Sequence, residues 1–585
     1  MDAHSYKYAA SDVGHCQQTV DANLTMPTAV VPVATATVVL YWYRHFPGGT
    51  TELAYSTNMS VAEGRSLSLI SVAEGHDKLL RLVEEISEQN PFEALSLLRN
   101  SAVNRFGHLL SGLPPQVLRQ FASDRDTAIS ETFTEIIRHV PDGLSTHRLP
   151  LSLGGAALPS LERHAAGNFL GTFFRISGPL QHRLISMTVG YNLVVADELL
   201  RVTDLTETRI WARHLVSSYN DSVTLQDSFT QAEHDLASWI LPAGNLILLP
   251  GDPRSVNYDI PYTINPDVLP PLLEAAGKLK GFRYIAAGIR KLVNWRDFFD
   301  TYNSAPQAEK IKLLSHAGHG SVSVLLANTP RTRNVSAQAA RVTIRRVTGS
   351  AALGSDRLQP GTTCKVCDLP ASADPEALER HSVRCPNGGQ RHFMHSGLVM
   401  VLLNVLLEAG VPKSTILFEM RGLRSTDRTR PGDVVALNFF GLDRHLVIDA
   451  VVSTVYRNCI LQEASTVPGY AAKQAEDRKL LADKNSAAPV STMHGGDHVF
   501  VPFSVEDGGR IGAHGLALLK ALAEHAVSSG KFPLHTGYDN ATPGMLVSLW
   551  VQRWQSSISS WLHVTLSRQL LRMYKPAGFF GLHLN

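Results

Sequence analysis

Four side chains able to bind a soft metal ion are spaced as Cys364-x2-Cys367-x13-His381-x3-Cys385, and this set constrains the fold more than any other stretch of the chain. Ligands that share one ion force the segment between them to close around a point. A Cys-x-x-Cys turn lets two thiolates clasp one ion, and the x3 spacing puts His381 and Cys385 on one side of a helical turn within Glu376 to Arg384. Four N/S ligands predict a tetrahedral, structural zinc, since a closed set leaves no place for a catalytic water. The bland alternative is a chance Cys-x-x-Cys beside an unrelated histidine. It is disfavoured because the chain has only five cysteines, Cys16, Cys364, Cys367, Cys385 and Cys459, and three of them fall here. An odd, sparse cysteine set also argues for a reducing compartment over a disulfide framework.

The length of 585 residues allows about three or four domains. A composition of 44% hydrophobic and 18% charged residues is that of a chain that folds over most of its length. The net charge of +2 means that any nucleic-acid role must come from local clustering. Thr28 to Tyr43 is apolar and rich in β-branched residues, but it is shorter than the roughly 20 residues that span a bilayer and contains Pro32. No basic run precedes it, so a buried or unstructured segment is expected instead of a membrane helix or signal peptide, and the protein is expected to be intracellular.

Five segments follow from the patterning. Residues 1–70 show no sustained period and read as weakly structured. From Gly75, Leu79, Leu80, Leu82, Val83 and Ile86 have helical spacing, and Pro91 opens a second helix. After a break at Gly112 to Pro115, Val117–Phe121 and Ala128–Ile137 read as two more helices, which makes 75–260 a helical subdomain of short antiparallel pieces. Arg148 to Leu158 reads as an extended run into a Gly154-Gly155 turn. No Gly-Lys-Ser/Thr follows it, so it is not a phosphate loop. Residues 261–350 form a basic helical connector. There Lys278, Lys280, Arg283, Arg290, Lys291 and Arg296 interleave with Phe282, Tyr284 and Trp295, and Arg331, Arg333, Arg341, Arg345 and Arg346 lead up to the cysteines. Such a run suits either a nucleic-acid face or a solvated helix surface. The metal knuckle occupies 351–390, and a mixed α/β region occupies 391–585.

Within that last region, Arg430-Pro431-Gly432-Asp433-Val434-Val435-Ala436-Leu437 reads as a turn entering a strand, and His445 to Val452 as its hairpin partner. Asp449 sits in an almost wholly apolar strand. A carboxylate there needs a partner or a metal, because an unpaired buried charge is costly. Asp433 and Asp449 on neighbouring strands would bind Mg²⁺, and a nearby lysine would stabilise charge building on a phosphate. The helix at Ala471 to Lys479 offers Lys473 or Lys479, which face different ways. The structural alternative is that Asp433 caps a turn and Asp449 pairs with a nearby Arg or His. GxSxG, HExxH and Walker A motifs are absent from the sequence.

The order of these pieces resembles the carboxy-terminal half of non-LTR retrotransposon polyproteins, in which a Cys-Cys-His-Cys knuckle precedes a restriction-like endonuclease of the PD-(D/E)XK class. The matching positions are Cys364, Cys367, His381 and Cys385, then Pro431 with Asp433, then Asp449, with Lys479 the better match for the lysine. Arg391, His392 and His395 look like the segment joining knuckle to nuclease, and Phe500 to Glu506 like a further nuclease strand. Two departures stand out. Gly432 separates Pro431 from Asp433, and Val451 stands where a D-x-K lysine would be. No Tyr/Phe-x-Asp-Asp motif is present, so no reverse transcriptase activity is expected. The resemblance implies a retrotransposon-derived, Mg²⁺-dependent DNA endonuclease without the polymerase palm, or a non-catalytic nucleic-acid-binding relic of the same element. Its catalytic residues would be Asp433, Asp449 and Lys479, its structural ion Zn²⁺, its partners DNA and the element's RNA, and its location nuclear. Arg391, His392 and Arg430 would touch the nucleic acid. The fold expected is mixed α/β: an amino-terminal helical subdomain, a zinc knuckle and a restriction-endonuclease-like α/β domain.

Overall fold

The structure is a computed structural model. It describes residues 42–45, 51–54, 61–112, 115–139, 146–170, 217–241, 246, 285–326, 332–349, 363–368, 381–385, 390–419, 432–486, 489–490, 498–531 and 541–574, apart from 219, 333, 382 and 384. The chain divides into two units, Met1–Gly75 and His76–Asn585. In the first, β1 (Trp42–His45) and β2 (Thr51–Ala54) form an antiparallel hairpin that sets Trp42 opposite Ala54. The rest of the apolar stretch from Thr28 lies outside the described residues.

Helix α1 (Val61–Gln89) starts well before Gly75, where the sequence pattern places the onset of order. It leads into α2 (Pro91–Leu97), whose proline sits in the first turn, where its missing N–H costs nothing. A π turn (Leu98–Ala102) and a 3-10 turn (Val103–Phe106) continue the chain to α3 (Gly107–Gly112). Then α4 (Pro115–Ile137) is a single helix where the apolar pattern suggests two. Its middle, Ser123 to Thr127, is polar but contains no Gly or Pro, and i,i+4 bonds such as Gln120 to Asp124 and Thr127 to the Ser123 carbonyl carry the helix through. Arg148 to Leu158 is likewise not extended. It is a series of tight turns in which Gly154 has φ +83° and a Cβ on Gly155 would lie 2.1 Å from the Leu149 carbonyl oxygen. A helix over 161–170 follows, its first amides held by Asp126, which also takes the Ser160 hydroxyl.

Helices α5 (Gln231–Ile240), α6 (Ile285–Ser304), α7 (Gln307–His316) and α8 (Ala337–Val347) complete the helical region. The aromatics of α6 point inward: Trp295, Phe298 and Phe299 are buried in one core with Leu236, Ile240 and Leu314. Trp295 is therefore core and not a stacking platform, while Lys278, Lys280, Phe282, Arg283 and Tyr284 lie outside the described residues. Arg296 pairs with Glu233 and Asp300. Of the arginines before the knuckle, Arg331 and Arg333 lie outside the described residues, and Arg341 and Arg345 are committed to structure. Arg341 donates to the Ile136 and Ser87 carbonyls, and Arg345 to those of Ile137 and Arg138, so they close the open carbonyl ends of α1 and α4.

The sheet comes next. Its strands are β3 (Ile416–Phe418), β4 (Val434–Ala436), β5 (Leu446–Ser453) and β6 (Val499–Glu506), in that order across the sheet. The first three pair antiparallel, and β6 pairs parallel with β5, from Leu446 opposite Val499 to Ser453 opposite Glu506. The parallel step requires a crossover, and the helix Tyr470–Lys484 lies within it. Helix α9 (Gln390–Glu408) precedes the sheet, α10 (Tyr470–Lys484) lies between β5 and β6, and α11 (Ala513–Ser528) and α12 (Pro543–Met573) follow. Because strand side chains alternate, Leu446, Ile448 and Ala450 join Phe503 and Val505 in a core with α9, α11 and α12. Val447 points the other way, with Val435 and Val490, and α10 packs on that side of β5 and β6. Close approach of α9 and α12 depends on Gly397, where a Cβ would meet the Trp561 ring at 2.6 Å.

Helix α12 also reaches the helical region. Ser559 and His563 hold the Ser321 carbonyl, and Thr343 donates to Ser567. From the sheet side, Arg510 donates to the Ala317 and Trp239 carbonyls. The described part of the second unit is thus a mixed helix-rich α/β structure with one small four-stranded sheet.

Candidate metal centre and carboxylate site

Cys364, Cys367, His381 and Cys385 come together, their ligand atoms all within 4.8 Å of one another. The Cys364 and Cys385 sulfurs are 3.9 Å apart, and Cys367 Sγ is 3.2 Å from His381 Nε2. Two sulfurs at about 2.3 Å from a shared ion in tetrahedral geometry lie about 3.8 Å apart, so the observed spacing suits a metal such as zinc. It is far longer than the ~2.05 Å of a disulfide, and the described cysteines are free. The Asp368 amide donates to the Cys364 carbonyl and closes the Cys-x-x-Cys turn, with Asp368 at φ +56°. Burial lowers the His381 pKa, which favours the neutral, ligating imidazole. The knuckle rests on Val342 of α8 and on Leu570, Met573 and Tyr574 at the end of α12, with the Lys365 amide on the Met573 carbonyl. Burial, followed by the three neighbouring cysteines, pushes the Tyr574 phenol well up. Cys459 is exposed and is not part of this cluster.

The second constellation lies at the hydrogen-bonded edge between β4 and β5. Asp433 immediately precedes β4, and its amide donates to the Ile448 carbonyl at 2.9 Å. That bond places its side chain beside Asp449 in β5. Asp433 Oδ2 accepts the Ala450 amide at 2.7 Å and faces His395 Nε2 at 3.0 Å. The Asp433 and Asp449 carboxyl groups are close enough to shift each other's titration. Lys479 of α10 reaches across to Asp449, its Nζ 2.8 Å from the carboxylate. Lys473 points away, is exposed and pairs with Asp477, so the choice between the two lysines falls to Lys479.

The two carboxyls titrate apart. Burial alone raises Asp433, but hydrogen bonding and charge from His395 and the Ala450 amide outweigh it, and its pKa is lowered. Asp449 is raised, chiefly by burial and also by the Asp433 charge, with Lys479 opposing. The hydrogen bond to Asp433 raises His395 against the effect of burial. Two adjacent carboxyls do not ionise fully without positive charge between them. The structure supplies Lys479 on one side and His395 on the other, and the same pair of oxygen donors has the chemistry a hard divalent cation takes.

Three residues far apart in sequence, Asp433, Asp449 and Lys479, therefore meet at one point. His395 joins them although no spacing in the sequence marks it. Its signals are its place at the head of the apolar helix, two turns before Leu402, and its likeness to the segment joining knuckle to nuclease. Gly432 has a structural reason to stand between Pro431 and Asp433, since a Cβ there would lie 2.7 Å from Val447 Cγ1 and 2.9 Å from the Ile448 carbonyl oxygen. His392 is exposed on α9, whereas the Arg391 side chain and Arg430 lie outside the described residues. No described helix is long and apolar enough to cross a membrane. Compared with known proteins, the chain matches no family model and no curated sequence.

Proposed function

We propose that the protein is a metal-dependent DNA endonuclease of the restriction-like class, derived from a non-LTR retrotransposon and lacking the polymerase palm. The observation that carries this reading is the meeting of Asp433 and Asp449 beside Lys479, on a sheet whose antiparallel strands β3–β5 are followed by a crossover helix and the parallel strand β6. Asp433 and Asp449 would hold Mg²⁺, which when bound supplies Lewis-acid charge to the scissile phosphate and lowers the pKa of water. Lys479 neutralises one carboxylate before substrate arrives and stabilises charge on the phosphoryl oxygens as water adds to phosphorus and the P–O bond to the leaving sugar breaks. His395 is a positioning residue: it fixes the Asp433 carboxylate with the Ala450 amide. The Cys364, Cys367, His381 and Cys385 set holds a structural zinc in this reading, with DNA held mainly through its phosphates. Residence in the nucleus, and contact with the element's RNA, come with the resemblance.

The test is Mg²⁺-dependent nicking of supercoiled plasmid by the purified full chain, beside Asp433→Ala, Asp449→Ala and Lys479→Ala. We expect nicking by the parent, none above background for the two aspartate variants, and a loss of about 10²–10³-fold for the lysine variant. All three should keep their zinc and their melting temperature to within a few degrees. A parent that binds DNA but never nicks it with Mg²⁺ or Mn²⁺ would leave the non-catalytic binding relic as the correct reading.

A further inference from the structure

A cleft of about 760 Å³ opens in the helical region, away from both constellations. Its walls are the turns after α2, the loop from Arg148 to Ser160, the helix over 161–170 and the first half of α6. The charged side chains on it are all cationic: Arg99, Arg148, Arg290 and Lys291 line it, and no described Asp or Glu does. Four amides, Asn100, Asn104, Asn168 and Asn294, line it as well. His164 is buried, and burial, with Arg290 second, lowers its pKa to about 4, so it is neutral at physiological pH.

The arginines are graded by depth. Arg99 is only 8% exposed at the bottom, Arg148 is half-buried, and Arg290 stands exposed at the mouth. Among the described residues their hydrogen-bond acceptors are neutral: Arg99 donates to the Leu325 carbonyl, Arg148 to Ser130 Oγ and Arg290 to Asn168 Oδ1. A guanidinium stays charged in a protein, so Arg99 is a buried positive charge whose described acceptor is a neutral oxygen. Asp126 caps the helix over 161–170, and Asp297 pairs with Arg163 while also feeling the charge of Arg148. One wall, through Ser152 and Leu153, runs into the tight turn at Gly154 and Gly155 and is joined to Ala317 by the Leu153 bridge.

We infer that this cleft binds the phosphates of a single nucleic-acid strand, with the arginines on the phosphates and the asparagine amides on sugar and base edges. The volume lies in the range of about 300–1,000 Å³ typical of ligand clefts, which admits a strand segment but not a duplex. The site extends the nucleic-acid partner proposed above to a second place on the molecule and makes no use of Asp433, Asp449 or the knuckle.

The experiment is fluorescence anisotropy of the full chain with labelled oligo-dT and oligo-U of about 15 nucleotides, at several salt concentrations and without added divalent metal. The proteins are the parent, Arg290→Glu, Arg148→Gln and the charge-preserving Arg290→Lys, each checked by circular dichroism. We expect Arg290→Glu to weaken binding about tenfold or more, and Arg148→Gln to lower the slope of log K on log salt by about 0.7, the value of one single-strand phosphate contact. Arg290→Lys should stay near the parent. Unchanged affinity and slope in both charge-removing variants would overturn the inference. Displacement of the strand by AMP at equal concentration would overturn its assignment to a strand and mark a nucleotide site. Neither cleavage nor divalent metal enters this readout, so its failure and the failure of the nuclease reading are separable.

Discussion

Asp507, just past the end of β6, is fully buried, and burial pushes its pKa up to about 7, with the Glu506 charge beside it adding to the effect. Its Oδ1 accepts the Val455 amide, while Oδ2 has no hydrogen-bond partner among the described residues and faces a small cavity with Lys312, His316 and Arg346. An unfolded aspartate titrates near 3.9, so between about pH 4 and pH 7 the folded state holds the extra proton. Stability should therefore fall as pH rises through that window and level off above it. Asp507→Asn keeps the acceptor and removes the titration. Its melting temperature should fall less than the parent's between about pH 4 and 7, measured by thermal scans in matched buffers. Curves for parent and variant that run parallel would refute the assignment. The neighbouring glycines show how tight this corner is. A Cβ on Gly508 would lie 2.2 Å from Ser315 Oγ, and Gly509, at φ +95°, is 2.2 Å from the Ser321 carbonyl oxygen by the same measure.

Among elements, the knuckle and the end of α12 depend on each other. Cys364 and Cys385 are buried against Leu570, Met573 and Tyr574, and their sulfurs converge with Cys367 Sγ and His381 on the place one ion would take. Removing the ion leaves four close donors, two of them buried, without their shared partner. We expect one zinc per chain by elemental analysis, and its chelation, or Cys364→Ser, to lower the melting temperature by at least about 2 °C, roughly the effect of 2 kcal/mol in a single transition of this size, where about 2.1 cal/mol/K per residue makes 1 kcal/mol worth about 1 °C. Chelation that leaves both the melt and tyrosine absorbance unchanged would show that the cluster is not a metal site. The β4–β5 hairpin is the second such element. Its turn, Asn438 to Arg444, is held by short-range bonds such as Asp443 amide to Asn438 Oδ1, and it sets the register that brings Asp433 to Asp449.

For the whole molecule, the described parts of 76–585 share their cores. Helix α12 lies against α9 and α11 on the sheet side, and against α8 and the Ser321–Leu325 turn on the other. A fragment of residues 391–585 would strip the partners from Ser559, His563, Ser567 and the Arg510 guanidinium, all buried or bonded across to the helical region. That fragment should bind hydrophobic dye and melt broadly, whereas the full chain should melt in one sharp transition. A fragment melting as sharply and at the same temperature as the parent would show that the sheet region stands alone.

Local chemistry made part of this protein readable. The Cys-x-x-Cys and His-x3-Cys spacings act over a few residues, so their convergence could be read without a fold. An almost wholly apolar run marked β5, the resemblance marked β6, and the cost of a buried carboxylate singled out Asp449. Other features needed the tertiary structure, because they depend on which surfaces meet. The facing of α10 chose Lys479 over Lys473, and the packing of α9 on the sheet put His395 on Asp433. The packing of α6 in the helical core turned Trp295, Phe298 and Phe299 inward. Charge patterning along a chain does not say which carbonyl or cavity an arginine will find, so Arg341 and Arg345 cap helix ends while Arg99, Arg148 and Arg290 line a cleft. Sequence alone determined which residues need partners, and the tertiary structure decided who those partners are, since partner choice rests on contacts tens to hundreds of residues apart.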